Sequence, residues 1–114
     1  MTRFQRGDVV LVRFDFSDRS GTKWRPAVVI SSDEYNQGSP DLLIASVTGN
    51  LAALPHVGDH EIVDWERAGL LRPSLAQTKI ATIEASTIGR RLGRLTATDL
   101  AAIERGLRAA LALA

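Results

Sequence analysis

In residues 8–16 every second side chain from Val10 onward is apolar, and those between them are apolar or charged. This alternation constrains the fold more than any other feature of the chain. Val10, Val12, Phe14 and Phe16 fall on one side of an extended chain and are all apolar. Successive side chains of a strand point to opposite faces, so the pattern predicts a first strand at these residues.

Short apolar runs between turn residues recur along the chain and predict further strands. We expect them at residues 25–32, 41–47, 61–64, 75–83 and 87–92, with a turn region at 33–40 and a loop at 49–59. One helical turn is expected at 65–68, capped by Asp64 and ended by Gly69. Pro26 cannot donate to a strand ladder, so it should stand at the start of a strand or on an edge.

The last part of the chain predicts a helix that begins after Thr96. Thr96 and Asp99 have the spacing of a capping box. The apolar stripe that follows consists of Leu100, Ile103, Leu107 and Leu111. Gly106 weakens this helix by about 1 kcal/mol relative to alanine, so packing on the sheet must hold it. Five or six short strands and one terminal helix predict a mainly β fold, a small, strongly curved antiparallel β-barrel or half-barrel.

The composition fits one globular domain, which we expect to span residues 1–114. Of the 114 residues, 45% are hydrophobic and 24% are charged. The absence of cysteine excludes disulfides, thiolate catalysis and cysteine zinc sites. No apolar run approaches the ~20 residues of a membrane span. The amino terminus also lacks the apolar run of a signal peptide, so we expect no membrane contact and a cytoplasmic location.

The charges are segregated along the chain although their sum is only +1. Residues 1–30 carry a net +3, residues 31–66 a net −7 and residues 67–114 a net +5. If the two basic parts fold onto one face, that face attracts a polyanion. Random scatter of these charges over the surface is the alternative.

Arg25 stands in residues 21–31, where a polar loop leads into an apolar run. We expect it at the junction between the loop and a buried strand, held by a rigid scaffold at an open surface. Its planar, permanently charged guanidinium matches the oxygens of a phosphate. An ordinary solvated arginine before a strand is the alternative.

Three blocks of the sequence resemble the MazF/PemK (Kid) family of toxins. The first is RGDVVLV at 6–12 with FDFSD at 14–18 and GTKWRPAVVI at 21–30. The second is SVT at 46–48, where a threonine closes a strand. The third is RLGRLT at 91–96, followed by the DLAA of the helix.

This resemblance implies an SH3-like barrel that forms a homodimer and acts as the toxin of a type II toxin–antitoxin system. It implies a sequence-specific, metal-independent endoribonuclease (an mRNA interferase) that cuts single-stranded RNA without a cofactor. It also implies a separate antitoxin, similar to MazE or PemI, whose tail occupies the RNA groove. Carried over to this chain, Arg25 is the catalytic arginine and Thr48 the catalytic threonine.

The chain departs from the family pattern at two positions. Many members follow the threonine with a serine, where this chain has Gly49, so a second hydroxyl is missing. Many members carry an acidic residue and a glutamine on the fifth strand, where this chain has Ala76 and Gln77. Gln77 matches the glutamine, but the acid is lost.

RNA can be cut by attack of its 2′-OH on the adjacent phosphorus, which requires stabilisation of charge on the phosphoryl oxygens. Arg25 suits this task, and the hydroxyl of Thr48 can donate one more hydrogen bond. For Thr48, the alternative is a strand end that closes its own turn. The predicted RNA-binding residues are Lys23, Trp24, Gln77, Lys79 and Arg90, with Arg91 and Arg94 as further phosphate contacts. Trp24 either stacks on a base or fills the barrel or the dimer interface.

His56 and His60 are four residues apart and have acidic neighbours, a spacing that a metal site could use on a helix. Pro55 and Gly58 indicate a loop instead, so we expect no metal site; a role in proton transfer is the better use of either histidine.

Two other functions fit a small barrel. One is a CcdB-like poison of DNA gyrase, but its Trp-Gly-Ile end is replaced here by Leu111-Ala112-Leu113-Ala114. The other is a barrel that binds nucleic acid without cutting it.

Overall fold

A computed structural model describes residues 4–15, 22–52 and 56–114. Within these ranges the strands are β1 (Asp8–Asp15), β2 (Thr22–Val29), β3 (Asp41–Thr48), β4 (His60–Glu61), β5 (Leu75–Glu84) and β6 (Arg91–Arg94). The helices are α1 (Asp33–Gly38) and α2 (Ala97–Leu111), and a single 3-10 turn (Ala85–Thr87) joins β5 to β6. The predicted strand residue Phe16 lies outside the described residues. Parts of the polar loop before Arg25 and of the predicted loop at 49–59 lie outside them too.

The strands form one curled antiparallel sheet in the order β4-β5-β3-β2-β1-β6. β1, β2 and β3 pair in sequence order, and β5 pairs with the far side of β3. β6 returns to the other side of β1. The curled sheet is a half-barrel with a C-terminal helix, which confirms the predicted fold class.

The sheet buries apolar side chains on both of its faces. Val9 and Val28 belong to a cluster that also contains Ile103 and Leu107 of α2. The alternate residues Val10 and Val29 belong to a second cluster on the other face of the sheet. Because neighbouring side chains of a strand point to opposite faces, one strand supplies both clusters. The stripe of α2 is buried as far as Leu107, but Leu111 is 52% exposed.

β2 begins three residues earlier than the sequence predicts. Arg25 therefore lies inside the strand, opposite Val12, and the predicted position at a loop junction is wrong. β2 pairs with β3 only from Ala27 onward. The half of β2 that contains Arg25 consequently has a neighbouring strand on one side alone, so it remains an accessible edge.

Pro26 is tolerated inside β2 because of its place in the ladder. Its partner Leu11 uses its N–H and C=O for Arg90 and Gly89, at 2.9 and 3.0 Å, on the side away from β2. The Leu11–Pro26 pair is thus of the non-hydrogen-bonded kind. The missing N–H of Pro26 faces the side where β3 has not yet begun to pair.

Three local predictions are wrong. Residues 33–38 form α1 instead of a turn, because the Ser32 hydroxyl accepts a hydrogen bond from Tyr35 N–H and caps the helix. β4 covers only His60–Glu61: Ile62 N–H still donates to a backbone C=O, but the two N–H groups after it donate to the Asp99 side chain. The sixth strand begins at Arg91 rather than at residue 87, because the 3-10 turn occupies the predicted start. The helical turn at 65–68 is present, with Ala68 N–H donating to Asp64 C=O at 3.1 Å.

The predicted capping box at α2 is half correct. Thr96 Oγ1 accepts from Asp99 N–H at 3.3 Å. The Asp99 carboxylate does not reach back to the N–H of Thr96; it accepts from Val63 N–H and Asp64 N–H, both at 2.9 Å, and from His60 Nε2 at 2.8 Å. Fully buried, Asp99 therefore ties α2 to the segment after β4.

Gly106 has a packing function that the sequence does not indicate. A Cβ at Gly106 would lie 2.2 Å from the backbone oxygen of Gly58. The loop before β4 therefore rests directly on α2, and the low helix propensity of glycine is offset by this close contact. Within the described residues no helix is long and apolar enough to cross a membrane.

Candidate active site

A cleft of about 380 Å³ opens between the exposed half of β2 and the segment at 69–74. Its charged and hydroxyl-bearing lining consists of Arg25, Arg72, Arg90 and Ser74. The other described residues of the lining are aliphatic, aromatic, proline or glycine, and none carries a carboxylate or an imidazole. Three positive charges in one concave site with no opposite charge in its lining favour an anionic ligand.

Arg25 is exposed and lines this cleft from β2. Arg90 lines it from the segment before β6, where its C=O accepts from Leu11 N–H at 2.9 Å. β1 lies between β2 and β6 in the sheet and anchors both arginines. The structure therefore brings together two residues that are 65 positions apart in the sequence, as the predicted basic face requires.

The opposite wall is positioned by a close crossing of two backbones. A Cβ at Gly69 would lie 2.1 Å from the C=O oxygen of Leu92, and a Cβ at Gly93 would lie 2.5 Å from that of Ala68. The turn at 65–69 is thus packed backbone to backbone on β6. This contact fixes the point from which Arg72 enters the cleft.

Trp24 lies beside Arg25 in the lining and is 50% exposed. Its six-membered ring covers Gly89, where an added Cβ would lie 2.7 Å from Cζ3. The ring therefore does not fill the barrel, whereas a place in the dimer interface stays a prediction. One side of the indole rests on backbone, and its exposed part is available to a base.

Thr48 ends β3 opposite Leu75. It is not part of the cleft lining, although both of its neighbours, Val47 and Gly49, are. Thr48 Oγ1 accepts from Asn50 N–H at 3.1 Å, so the threonine closes its own turn. The hydroxyl proton is not used in that bond and stays able to donate.

Three of the predicted RNA-binding residues do not line the cleft. Lys23 and Lys79 are exposed on β2 and β5, whereas Gln77 is buried. For Gln77 and Lys79 a bulge in β5 explains this arrangement, because three residues of β5 stand opposite Ser46 alone. The register after the bulge no longer follows a regular strand, so sequence spacing could not place these side chains.

Arg91 and Arg94 have a structural partner. Asp8 is fully buried, and its Oδ1 lies 3.1 Å from Nε of Arg94 and 3.7 Å from Nη1 of Arg91. Both arginines compensate this buried carboxylate at the edge of the sheet. Their phosphate contacts stay a prediction.

The histidines belong to two hydrogen-bonded clusters outside the cleft. His60 pairs with Asp99, and His56 Nδ1 lies 3.6 Å from Asp59. Burial alone would raise the pKa of Asp59, yet hydrogen bonds from the His56 and Thr78 N–H groups and the Thr78 hydroxyl, together with the charge of His56, lower it. In the part of the chain that the structure describes, no group of three or more His, Cys, Asp or Glu could hold a metal ion.

Arg72 is the cleft residue that sequence reasoning missed. A register prediction would have found it, because Thr48 pairs with Leu75 and the residues just before Leu75 therefore lie beside Gly49. No local pattern marks such a register. The pairing is a property of two strands that are distant in sequence.

Comparison with known proteins agrees with this geometry. The model of a family described as "PemK-like, MazF-like toxin of type II toxin-antitoxin system" matches residues 5–111. A comparison with curated protein sequences gives no significant match.

Solved structures with the same fold cover nearly the whole chain. An endoribonuclease in complex with its cognate antitoxin, from a mycobacterial species, has 20% identity and a TM-score of 0.76, with 97% of each chain covered. A MazE–MazF structure from Deinococcus radiodurans has 19% identity and a TM-score of 0.77, with 99% of this chain and 100% of that chain covered. The Mycobacterium tuberculosis toxin MazF-mt6 has 20% identity and a TM-score of 0.66, with 92% and 98% covered.

Proposed function

Because the chain belongs to the PemK-like, MazF-like toxins of type II toxin–antitoxin systems, we propose that it is an endoribonuclease that cuts single-stranded RNA. The observation that carries this proposal is the cleft in which three arginines, Arg25, Arg72 and Arg90, come together among its described lining residues. RNA is a polyanion, and its phosphates are the ligands that such a lining attracts. Several structural neighbours are endoribonucleases, which supports the same activity here.

In the proposed reaction the 2′ oxygen forms a bond to phosphorus and the bond from phosphorus to the 5′ oxygen breaks. The 2′-OH loses its proton, and the leaving 5′ oxygen takes one up. Negative charge grows on the phosphoryl oxygens during this exchange. Arg25 binds these oxygens through two charged hydrogen bonds that are strongest when the charge is largest.

Thr48 has a smaller part in this proposal. Its hydroxyl accepts from Asn50 N–H, which fixes the direction in which its own proton points. From the end of β3 it donates one hydrogen bond to the phosphate that Arg25 holds. Neither residue takes the proton of the 2′-OH, since a guanidinium stays protonated in proteins and a threonine hydroxyl is a poor base.

The reaction needs no metal ion in this proposal, because Arg25, Arg72 and Arg90 supply the positive charge. Exposed side chains at the cleft, such as Trp24, contact the bases and give the preference for particular sequences. These exposed side chains thus determine which RNA sequence is cut.

We further propose that the chain forms a homodimer in the cytoplasm and is neutralised by a cognate antitoxin that covers the RNA groove. Neighbours solved with an antitoxin support this partnership. If a small open reading frame beside the gene encodes the antitoxin, its co-expression should restore the growth that the toxin alone arrests.

The test is RNA cutting by the purified protein in the presence of EDTA. The wild-type protein should cut a long single-stranded RNA at a limited set of positions. Arg25→Ala should lower the rate by at least ~100-fold, the loss typical for removal of one donor to a developing oxyanion. Arg105→Ala, which removes an exposed arginine from α2, should cut at the wild-type rate.

Normal cutting by a folded Arg25→Ala protein, checked by circular dichroism, would contradict the assigned role of Arg25. RNA binding without any cutting would favour the non-catalytic barrel, and trapped DNA–gyrase complexes would favour the gyrase poison.

A further inference from the structure

The side chain of Arg72 crosses directly over the α-carbon of Gly49. A Cβ at Gly49 would lie 2.6 Å from Cδ of Arg72, 3.3 Å from Cγ and 3.5 Å from Nε. Contacts below 3.0 Å are essentially never seen for real Cβ atoms, so a side chain at position 49 would require Arg72 to leave its observed path. Both residues line the cleft that contains Arg25.

The backbone around Arg72 is fixed by its neighbours. Ser74 Oγ donates to the C=O of Arg72 at 2.8 Å, and Leu75 begins β5 opposite Thr48. The end of β3 and the start of β5 therefore determine the distance from Arg72 to Gly49. With its origin fixed, the side chain passes over the glycine because the missing Cβ leaves a path there.

Arg72 is exposed and has no ion-pair partner among the side chains that the structure describes. This distinguishes Arg72 from Arg91 and Arg94, whose charges compensate the buried Asp8. A side chain held in a cleft beside other arginines, without a carboxylate, gains most when an anion enters.

We propose that Arg72 is a second phosphate-binding arginine of the RNA cleft and that Gly49 is the residue that gives it access. The inference rests on the proposed function for the identity of the anion, a single-stranded nucleic-acid backbone. Arg25 binds the phosphate that is cut, and Arg72 binds phosphate oxygens from the opposite wall. Where many family members have a serine hydroxyl, this chain has Gly49. The hydrogen-bond donor of the serine is thereby replaced by the guanidinium of Arg72, which is charged and has several donors.

Binding without cutting gives the most direct test. The probe is a fluorescent single-stranded 12-nucleotide oligonucleotide of randomised sequence with 2′-deoxyribose at every position, which lacks the attacking hydroxyl. The Kd is measured by anisotropy at several salt concentrations. Loss of one phosphate contact should reduce the slope of log K against log salt by about 0.7.

Arg72→Ala should show this smaller slope and a Kd raised about tenfold, the loss for one charged hydrogen bond. Arg72→Lys should keep the wild-type slope, because it retains the charge, but bind more weakly than the wild type. Arg105→Ala is the matched control and should bind as the wild type does. Circular dichroism confirms that each variant is folded.

The role of Gly49 is tested by a double-mutant cycle. Gly49→Ala should weaken binding in the wild-type background, because the added methyl group displaces Arg72. In the Arg72→Ala background the same change should have no further effect. Equal effects of Gly49→Ala in both backgrounds would overturn the part of the proposal that concerns access.

A wild-type Kd and slope for Arg72→Ala would overturn the proposal, whatever the cutting assay gives. If the wild type binds the oligonucleotide with the predicted dependence on Arg72 but cuts no RNA, the inference stands and the proposed activity fails. If the wild type does not bind the oligonucleotide at all, the inference fails too.

Discussion

At the scale of single residues, position in the ladder decides what each site residue can do. Arg25 is exposed although it lies in the middle of a strand, because β3 pairs only with the other half of β2. Thr48 closes its own turn and keeps a hydroxyl proton to donate. The catalytic interpretation of Thr48 and the alternative of a turn-closing threonine are therefore compatible.

The ionisation of the buried Asp99 contributes to stability. Burial alone would raise its pKa, yet hydrogen bonds from His60 and from the N–H groups of Asp64 and Val63, together with the charge of His60, bring the pKa below its usual value of 3.8. The folded state thus prefers the carboxylate. Its contribution to stability is complete above pH 3.8 and is lost as the pH falls through the lowered pKa.

Asp99→Asn should lower the free energy of unfolding at neutral pH by about 1–3 kcal/mol, because an amide oxygen cannot serve three donors as the carboxylate does. The variant should also lose less stability than the wild type on acidification below pH 4. Urea unfolding at several pH values measures both effects. His60 and Asp64 also face this group. His60→Gln is therefore the control that measures how much of the stability change comes from the imidazole. An unchanged acid dependence in Asp99→Asn would refute this assignment.

At the scale of elements, the sequence predicts those segments whose pattern is set by their own side chains. β1 and α2 carry a clear apolar period, and β3 and β5 hold short apolar runs between turn residues, so the sequence predicts all four to within one or two residues. α1 has one buried residue, Asn36, and no apolar stripe, so only the cap at Ser32 marks it. Residues such as Arg72 and Asp99 acquire their roles from partners far along the chain, and no local pattern contains that information.

The contact between α2 and the loop before β4 gives a prediction at this scale. Gly106→Ala should improve helix propensity by about 1 kcal/mol. We nevertheless expect a net loss of stability of about 1–3 kcal/mol, because the new methyl group meets the backbone oxygen of Gly58, which no rotamer change can relieve. Thermal unfolding measures this loss as a lower melting temperature.

Gly38→Ala is the matched control for that experiment, since Gly38 ends α1 and a Cβ there meets nothing within 4 Å. It should leave the melting temperature unchanged or raise it. If Gly106→Ala also raises the melting temperature, the helix and the loop do not pack as closely as described.

At the scale of the whole molecule, folding groups charges that the sequence separates. Arg25 comes from the basic first part of the chain, and Arg72 and Arg90 come from the basic last part; all three meet in one cleft. Among the described residues, the acidic middle part contributes no negatively charged side chain to the lining. A molecule with a net charge of +1 therefore still presents a locally strong site for a polyanion.

The chemistry of the RNA ends tests the central claim most directly. We would incubate the wild-type protein with a single-stranded RNA in EDTA and identify the new ends by mass spectrometry. Attack by the 2′-OH leaves a 2′,3′-cyclic phosphate, or its hydrolysis product, on one fragment and a 5′-OH on the other. Ends of this kind, absent when Arg25→Ala replaces the wild type, are the expected result. A 3′-OH with a 5′-phosphate would mean that water attacks the phosphorus, and it would contradict the proposed reaction.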